Sequence, residues 1–201
     1  RPESTKEAKI VKRILQKKMI FSEILTWSGK KPIKNIQSKA RIKRYELLYR
    51  KCNKLNIDNI LLGHHQDDLI ENFFIRMLRG SGLKGLVSLD KKILIYDKYL
   101  LRPLLNQKKD DLIFISKHVF DFYVKDPTNQ NDKYQRIRIR KLIDGLEKDG
   151  LDKSKIFQTY KNLQHSNEVV NFQVKENLKK NTFFSRKKNK TILNREFFLQ
   201  H

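Results

Sequence analysis

The stretch Ile57-Asp58-Asn59-Ile60-Leu61-Leu62-Gly63-His64-His65-Gln66-Asp67-Asp68-Leu69-Ile70-Glu71 changes its period at Gly63. Ile57 to Leu62 is a short apolar run closed by a glycine, the pattern of a buried strand. From His64 the pattern becomes helical, and the sequence predicts a helix that begins there at once. Upstream, Glu3 to Ile20 reads as a helix with Ser4 as its cap and Ala8, Val11, Leu15 and Met19 at helical spacing. Ile20 to Leu25 alternates toward a short strand, and Trp27-Ser28-Gly29-Lys30-Lys31-Pro32 is a loop by its breakers. Ile36 to Leu55 reads as a second helix, with Ala40, Tyr45, Leu48 and Cys52 inward. Helix, strand, helix, strand, helix is the order of right-handed crossovers. The expected class is α/β, a Rossmann-like parallel sheet with helices on both faces, followed by a helical tail. Ligands of such folds sit where strands turn into helices, as at Leu62-Gly63-His64.

Composition narrows the function. The chain has 201 residues and a net charge of +23, so a polyanionic partner is the default expectation. No apolar run approaches the ~18–20 residues that span a bilayer. Cys52 is the single cysteine, which excludes an intramolecular disulfide and a cysteine-rich zinc site and points to a reducing, cytoplasmic setting. The first residue is Arg1, not Met, and the chain reads as a fragment or processed product.

Downstream of the opening stretch, Gly80-Ser81-Gly82-Leu83-Lys84-Gly85 is a tight turn. Ile93 to Tyr96 and Tyr99 to Arg102 predict a small ribbon, Gln107 to His118 a helix, and Phe120 to Val124 a short extended piece. Asp126-Pro127-Thr128-Asn129 is a turn by its chemistry. Tyr134 to about Asp149 reads as a helix, and a longer one restarts after Gly150 with Asp152 as cap and runs toward Lys180. Thr191 to Leu199 reads as a strand or a helix start. The expected boundary lies near Gly150, separating residues 1–150 from a basic helical segment, 151–201.

His64, Asp67, Asp68 and Glu71 stand at i, i+3, i+4 and i+7, which places an imidazole and three carboxylates on one helical face. Like charges so close cost stability unless a cation lies opposite; magnesium with a nucleotide triphosphate, or an amine substrate, would supply one. The same acids would also favour the helix dipole by about 0.3–1 kcal/mol each. Spacing leaves both readings open. Zinc is disfavoured, since no second His or Cys cluster follows at ligand spacing. After Arg76 comes Arg79-Gly80-Ser81-Gly82-Leu83-Lys84-Gly85, where backbone amides could approach a phosphate, although a glycine helix cap is the simpler reading.

Gly63-His64-His65-Gln66-Asp67-Asp68-Leu69-Ile70-Glu71-Asn72, followed by Leu78-Arg79-Gly80-Ser81-Gly82-Leu83-Lys84-Gly85-Leu86, resembles the GHH-x-DD-x-x-E-T and LLRG-[ST]-G-x-x-GL segments of the tRNA(Ile)-lysidine synthetase family. Arg1-Pro2-Glu3-Ser4, Ala40-Arg41 with Arg44-Tyr45, Arg102-Pro103-Leu104-Leu105, and Asp126-Pro127-Thr128-Asn129 with Arg136, Arg138 and Arg140 resemble further family segments in the same order. The family threonine is Asn72 here, and the family's SGG-x-D-S pyrophosphate loop occurs nowhere in residues 1–201. On the resemblance that loop, with the first, central strand, would lie upstream of Arg1.

The resemblance implies an incomplete PP-loop catalytic domain (adenine nucleotide hydrolase-like) over residues 1–150. It implies a ligase joining free lysine to C2 of the wobble cytidine of an isoleucine tRNA. ATP would first adenylate the cytidine, and the amine would then displace AMP. Asp67, Asp68 and Glu71 would hold magnesium-pyrophosphate or the lysine ammonium, with Asp67 and Asp68 as the magnesium ligands and His64 near the reacting phosphate or base. Arg76, Arg79, Gly80, Ser81, Gly82 and Lys84, with Arg41, Arg44, Arg136, Arg138 and Arg140, would meet phosphates or tRNA. ATP and magnesium are the implied cofactors, tRNA(Ile) and lysine the partners, with a homodimer carried as an expectation. Two other readings are a basic RNA-binding module, which leaves the acids unexplained, and a related tRNA thiolase, which commonly uses paired cysteines.

Overall fold

The computed structural model describes residues 4–29, 36–124, 135–185 and 190–199. Arg1 to Glu3, Pro32, the Asp126 to Asn129 turn and Tyr134 lie outside the described residues. The chain divides into two compact units, residues 1–68 with 90–131 and residues 69–89 with 132–201. This partition does not run through Gly150, where the chain passes from one helix into the next.

The first unit opens with α1 (Ser4–Lys17). The helix stops where Met19 takes a φ of 56°. There the Met19 and Ile20 amides donate to the Gln16 and Leu15 carbonyls at 3.0 and 2.9 Å, satisfying carbonyls that the last turn leaves open. The apolar residues at helical spacing are only partly covered: Ala8 and Leu15 are half-buried, while Val11 is 40% exposed and Met19 95%. No ladder forms at Ile20 to Leu25 either. Alternation supplies two faces but no partner, and a strand exists only as half of a pair. α2 (Ile36–Lys54) follows and closes by the same double hydrogen bond around Asn56, whose φ is 51°.

β1 (Asn59–Leu61) comes next, shorter than the run that announced it. After a long excursion the chain returns as β2 (Lys92–Ile95) and β3 (Lys98–Leu101), the predicted ribbon. The sheet order is β1-β3-β2, with Ile60 beside Leu100 in a parallel pair and Ile93 beside Leu100 in an antiparallel one. The expectation of a wholly parallel sheet is therefore corrected among the described residues. A two-residue turn, Tyr96-Asp97, can only reverse the chain, whereas parallel neighbours need a crossover of a dozen residues or more. Ile60, Leu100 and Leu105 are buried here, together with Lys98 and Arg102. Lys98 is tolerated because its ammonium lies 3.8 Å from both Asp58 and Asp97 and 5.6 Å from the Tyr49 ring centre. α5 (Lys109–Phe120) completes this unit, and no strand forms at Phe120 to Val124.

α3 (Gln66–Met77) starts in the first unit and carries the chain into the second. There α4 (Leu83–Leu86), α6 (Gln135–Lys148) and α7 (Lys153–Asn181) follow. Its buried apolar residues include Leu69, Ile70, Phe73, Phe74 and Ile75 on α3 and Ile137, Ile139, Ile143, Ile156 and Tyr160 on α6 and α7. Phe73 meets Tyr160 edge to face at 6.2 Å, and the Tyr160 hydroxyl donates to the Leu89 carbonyl at 3.3 Å. Asp152 caps α7 as its sequence predicts, accepting from the Ser154 amide at 2.7 Å. β4 (Thr182–Ser185) and β5 (Lys190–Leu193) make an antiparallel pair, and a 3-10 turn, Arg195–Phe198, follows. Both readings of the last segment thus hold in succession.

Candidate active site

β1 and β3 run parallel, so their carboxyl ends share one edge of the sheet. The Leu62 amide extends that pairing, donating to the Leu101 carbonyl at 2.8 Å. Two motif segments therefore leave the sheet side by side: Gly63-His64-His65 after β1 and Arg102-Pro103-Leu104-Leu105 after β3. The first amide of α3, on Gln66, donates to the Gln107 carbonyl at 3.0 Å, which ties the helix start to the second segment. Arg102 is buried and braces the ribbon's base, its Nη1 donating to the Asp90 carbonyl at 2.6 Å.

The helix begins two residues later than the sequence predicts. His64 and His65 belong to the loop, so the expected helical face loses its imidazole. The cause is a cap. The Asp68 carboxylate reaches back to accept the His65 amide at 3.0 Å, which makes His65 the cap residue and Asp68 the third residue of the first turn. The His65 Nε2 also lies 3.4 Å from Asp68 Oδ2, while its buried Nδ1 has no hydrogen-bond partner among the described residues. Asp67 and Asp68 remain partly exposed in the first turn, and His64 is half-buried just before it.

Glu71 behaves differently. It is 3% exposed, and both carboxylate oxygens are taken by Arg140 in the same unit: Nε donates to Oε1, and Nη2 to Oε2 at 3.3 Å. The sequence reading gave Arg140 to phosphate and Glu71 to the acidic face; the fold commits each to the other. Arg136 and Arg138, by contrast, are exposed on α6.

The glycine-rich turn resolves as a cap. Gly80, at φ 68°, ends α3, with the Gly80 and Ser81 amides donating to the Met77 and Arg76 carbonyls at 2.9 and 3.1 Å. Gly85 and Leu86 donate to the Gly82 carbonyl, and a Cβ on Gly85 would stand 2.8 Å from the Ser81 Cβ. The Gly80, Ser81 and Gly85 amides are thus engaged inside the turn, as the capping reading expects. Arg79 donates to Gln135 Oε1 at 2.6 Å, Arg76 is half-buried, and Lys84 is exposed. No group of three or more His, Cys, Asp or Glu side chains is placed to hold a metal ion among the described residues.

Arg41 and Arg44 leave α2 toward different grooves. Arg44 shares one with Trp27, Glu23 and Leu47. Arg41 lies against Tyr45, 5.1 Å from the ring centre, with its Nη2 donating to the phenol oxygen at 3.2 Å. Tyr45 and Cys52, expected to face inward, are half-buried, as is Trp27. No described helix is long and apolar enough to cross a membrane.

The PP-loop domain family matches residues 1–146. Curated relatives named tRNA(Ile)-lysidine synthase include that of Orientia tsutsugamushi, 39% identical over 73% of this chain and 33% of its own length. That of Bradyrhizobium diazoefficiens is 32% identical over 85% of this chain and 47% of its own length. The chain thus spans between a third and a half of these relatives. Among solved structures, the U34-tRNA thiolase NcsA from Methanococcus maripaludis superposes with a TM-score of 0.54 at 18% identity, covering 78% of this chain and 56% of its own. That likeness concerns the fold. The parallel β1–β3 edge, the GHH-x-DD turn at its carboxyl end and the match across residues 1–146 agree, and the chain belongs to the PP-loop family, with curated relatives that are tRNA(Ile)-lysidine synthases.

Proposed function

We propose that this chain takes part in the ATP-dependent attachment of lysine to the wobble cytidine of an isoleucine tRNA. The observation that supports this most strongly is the place of the acidic turn. Asp67 and Asp68 open α3 directly beyond β1, at the edge where α/β folds receive ligands. A first helical turn carries partial positive charge, which steadies carboxylates there until a cation arrives. Lysine offers that cation in its ammonium group. On this reading Asp67 and Asp68 hold the amino acid, and His64, immediately upstream, takes a proton from the amine that attacks. The attacking amine must be neutral, so a neighbouring base is a physical requirement. Glu71 and Arg140 pair within the second unit and join α3 to α6 there. The exposed Arg136 and Arg138, with Arg41 and Lys84, meet tRNA phosphates.

The SGG-x-D-S loop does not occur in residues 1–201, so no adenylation step is assigned to them. The experiment follows from that. Purified residues 1–201, given ATP, labelled lysine and an isoleucine tRNA transcript with a CAU anticodon, should transfer no label. The same chain joined behind the SGG-x-D-S segment of a relative should transfer it to that transcript. Transfer by residues 1–201 alone would show that the phosphate site has been misplaced. A soluble, folded fusion that transfers nothing would count against the ligase reading.

A further inference from the structure

A second feature of the first unit stands apart from the acidic turn. A groove of about 520 Å³ runs between α2 and the β2–β3 ribbon, a size typical of small-ligand sites. Ile93 and Leu100 give it an apolar floor, while Tyr45, Tyr49 and Tyr96 line it with Arg41 and Arg50. Its one acid, Glu46, is paired with Lys43 at 2.7 Å, so the lining is cationic on balance. Tyr96 is the unusual member. It sits at the ribbon's tip with a φ of 56°, a backbone conformation that favours glycine or asparagine, and the residue is 87% exposed. The tip is held in place: Tyr49 meets the Tyr96 ring edge to face at 5.6 Å, and the Asp97 amide donates to the Tyr49 hydroxyl at 3.2 Å. A large ring presented to water at a turn that would cost less with glycine calls for a reason beyond folding.

We propose that this groove takes one unpaired RNA nucleotide, its base stacked on Tyr96 and its phosphate met by Arg50. Tyrosine faces with interleaved arginines are the chemistry that grips single-stranded RNA: the rings accept any base, and the guanidinium meets the backbone. A strongly basic chain, at +23, favours a polyanion over a neutral ligand. The inference deepens the tRNA reading and rests on it, adding a contact away from the acidic turn.

The test uses a single-stranded RNA of uridines with one central 2-aminopurine, whose fluorescence falls on stacking. The 201-residue chain should bind it with quenching. Tyr96→Gly, which removes the ring and relieves the turn, should weaken binding roughly 5- to 150-fold and abolish the quench while melting no earlier than the parent. Tyr96→Phe should keep both. Arg50→Ala should flatten the dependence of log affinity on log salt by about one unit. Equal binding and quenching by Tyr96→Gly would overturn the proposal. So would equal competition by free AMP, which would make this a mononucleotide site, or by a duplex bearing the same base. If quenching fails while the fused chain still transfers lysine, the groove assignment alone falls. If Tyr96-dependent binding persists and no lysine is transferred, the ligase reading falls instead.

Discussion

Asp68 and Glu71 stand one helical turn apart on α3, and the fold uses them in opposite ways. The Asp68 side chain, 14% exposed, accepts a backbone amide at the helix start. The Glu71 side chain, 4% exposed, is closed off by a two-pronged guanidinium. A buried carboxylate with a fixed partner is a structural commitment. One in an N-terminal turn keeps an oxygen for whatever approaches the edge of the sheet. Two carboxylates of like chemistry thus acquire separate tasks from depth and partner alone.

The largest expected effect breaks the buried half. Glu71→Ala removes the two-pronged partner of an Arg140 side chain that is one-third exposed, and should cost about 1.5–3 kcal/mol of unfolding free energy, read by denaturant titration. Replacing both residues by apolar ones of similar size should restore most of that loss. If Glu71→Ala melts like the parent, the pair is not what holds α6 to α3.

Asp68→Ala probes the other half. It removes one accepted amide and a favourable dipole contact, so the loss should be near 1 kcal/mol. A loss as large as that of Glu71→Ala would erase the contrast between the two acids.

Gly80→Ala should have an effect of similar size. Nothing stands within 4 Å of the added Cβ, so the penalty comes only from a φ of 68° and should be about 1 kcal/mol. Within error of zero, it would mean that the turn shifts freely and that the capping assignment is too rigid.

Local chemistry was legible in the residues, and distant partners were not. Asp152 was readable as a cap because its partner, Ser154, lies two residues away. The ribbon was readable because its strands are neighbours in sequence. The start of α3 was misplaced by two residues, since Asp68 reaching back to His65 is a choice between neighbouring caps that periodicity does not encode. Glu71 and Arg140 are separated by 69 residues, and no spacing rule links them. Ile20 to Leu25 failed for the same reason from the other side: its alternation was real, and its partner was not among the described strands. For the groove a signal did exist. Arg41, Tyr45 and Tyr49 recur at i, i+4 and i+8 along α2, a stripe that the sequence reading split, giving Tyr45 to the core and Arg41 to tRNA.

The electrostatic surface offers the smallest change per residue. Arg136→Ala should weaken cognate and non-cognate tRNA alike and flatten the salt slope by about one unit, with thermal stability unchanged. Loss of discrimination between isoleucine tRNA and other tRNAs would instead make Arg136 a reader of sequence.

The central claim is that the partly exposed acids of the first turn serve chemistry and not tRNA affinity. The most direct measurement is labelled-lysine transfer by Asp68→Asn in the fused, active chain, with tRNA affinity measured alongside. Asparagine keeps an acceptor for the His65 amide while removing the charge, so the fold should persist. The account predicts that transfer is lost and tRNA affinity stays within about twofold of the parent, since an acid contributes little to holding a polyanion. Full turnover by Asp68→Asn, or a defect confined to tRNA binding, would contradict it.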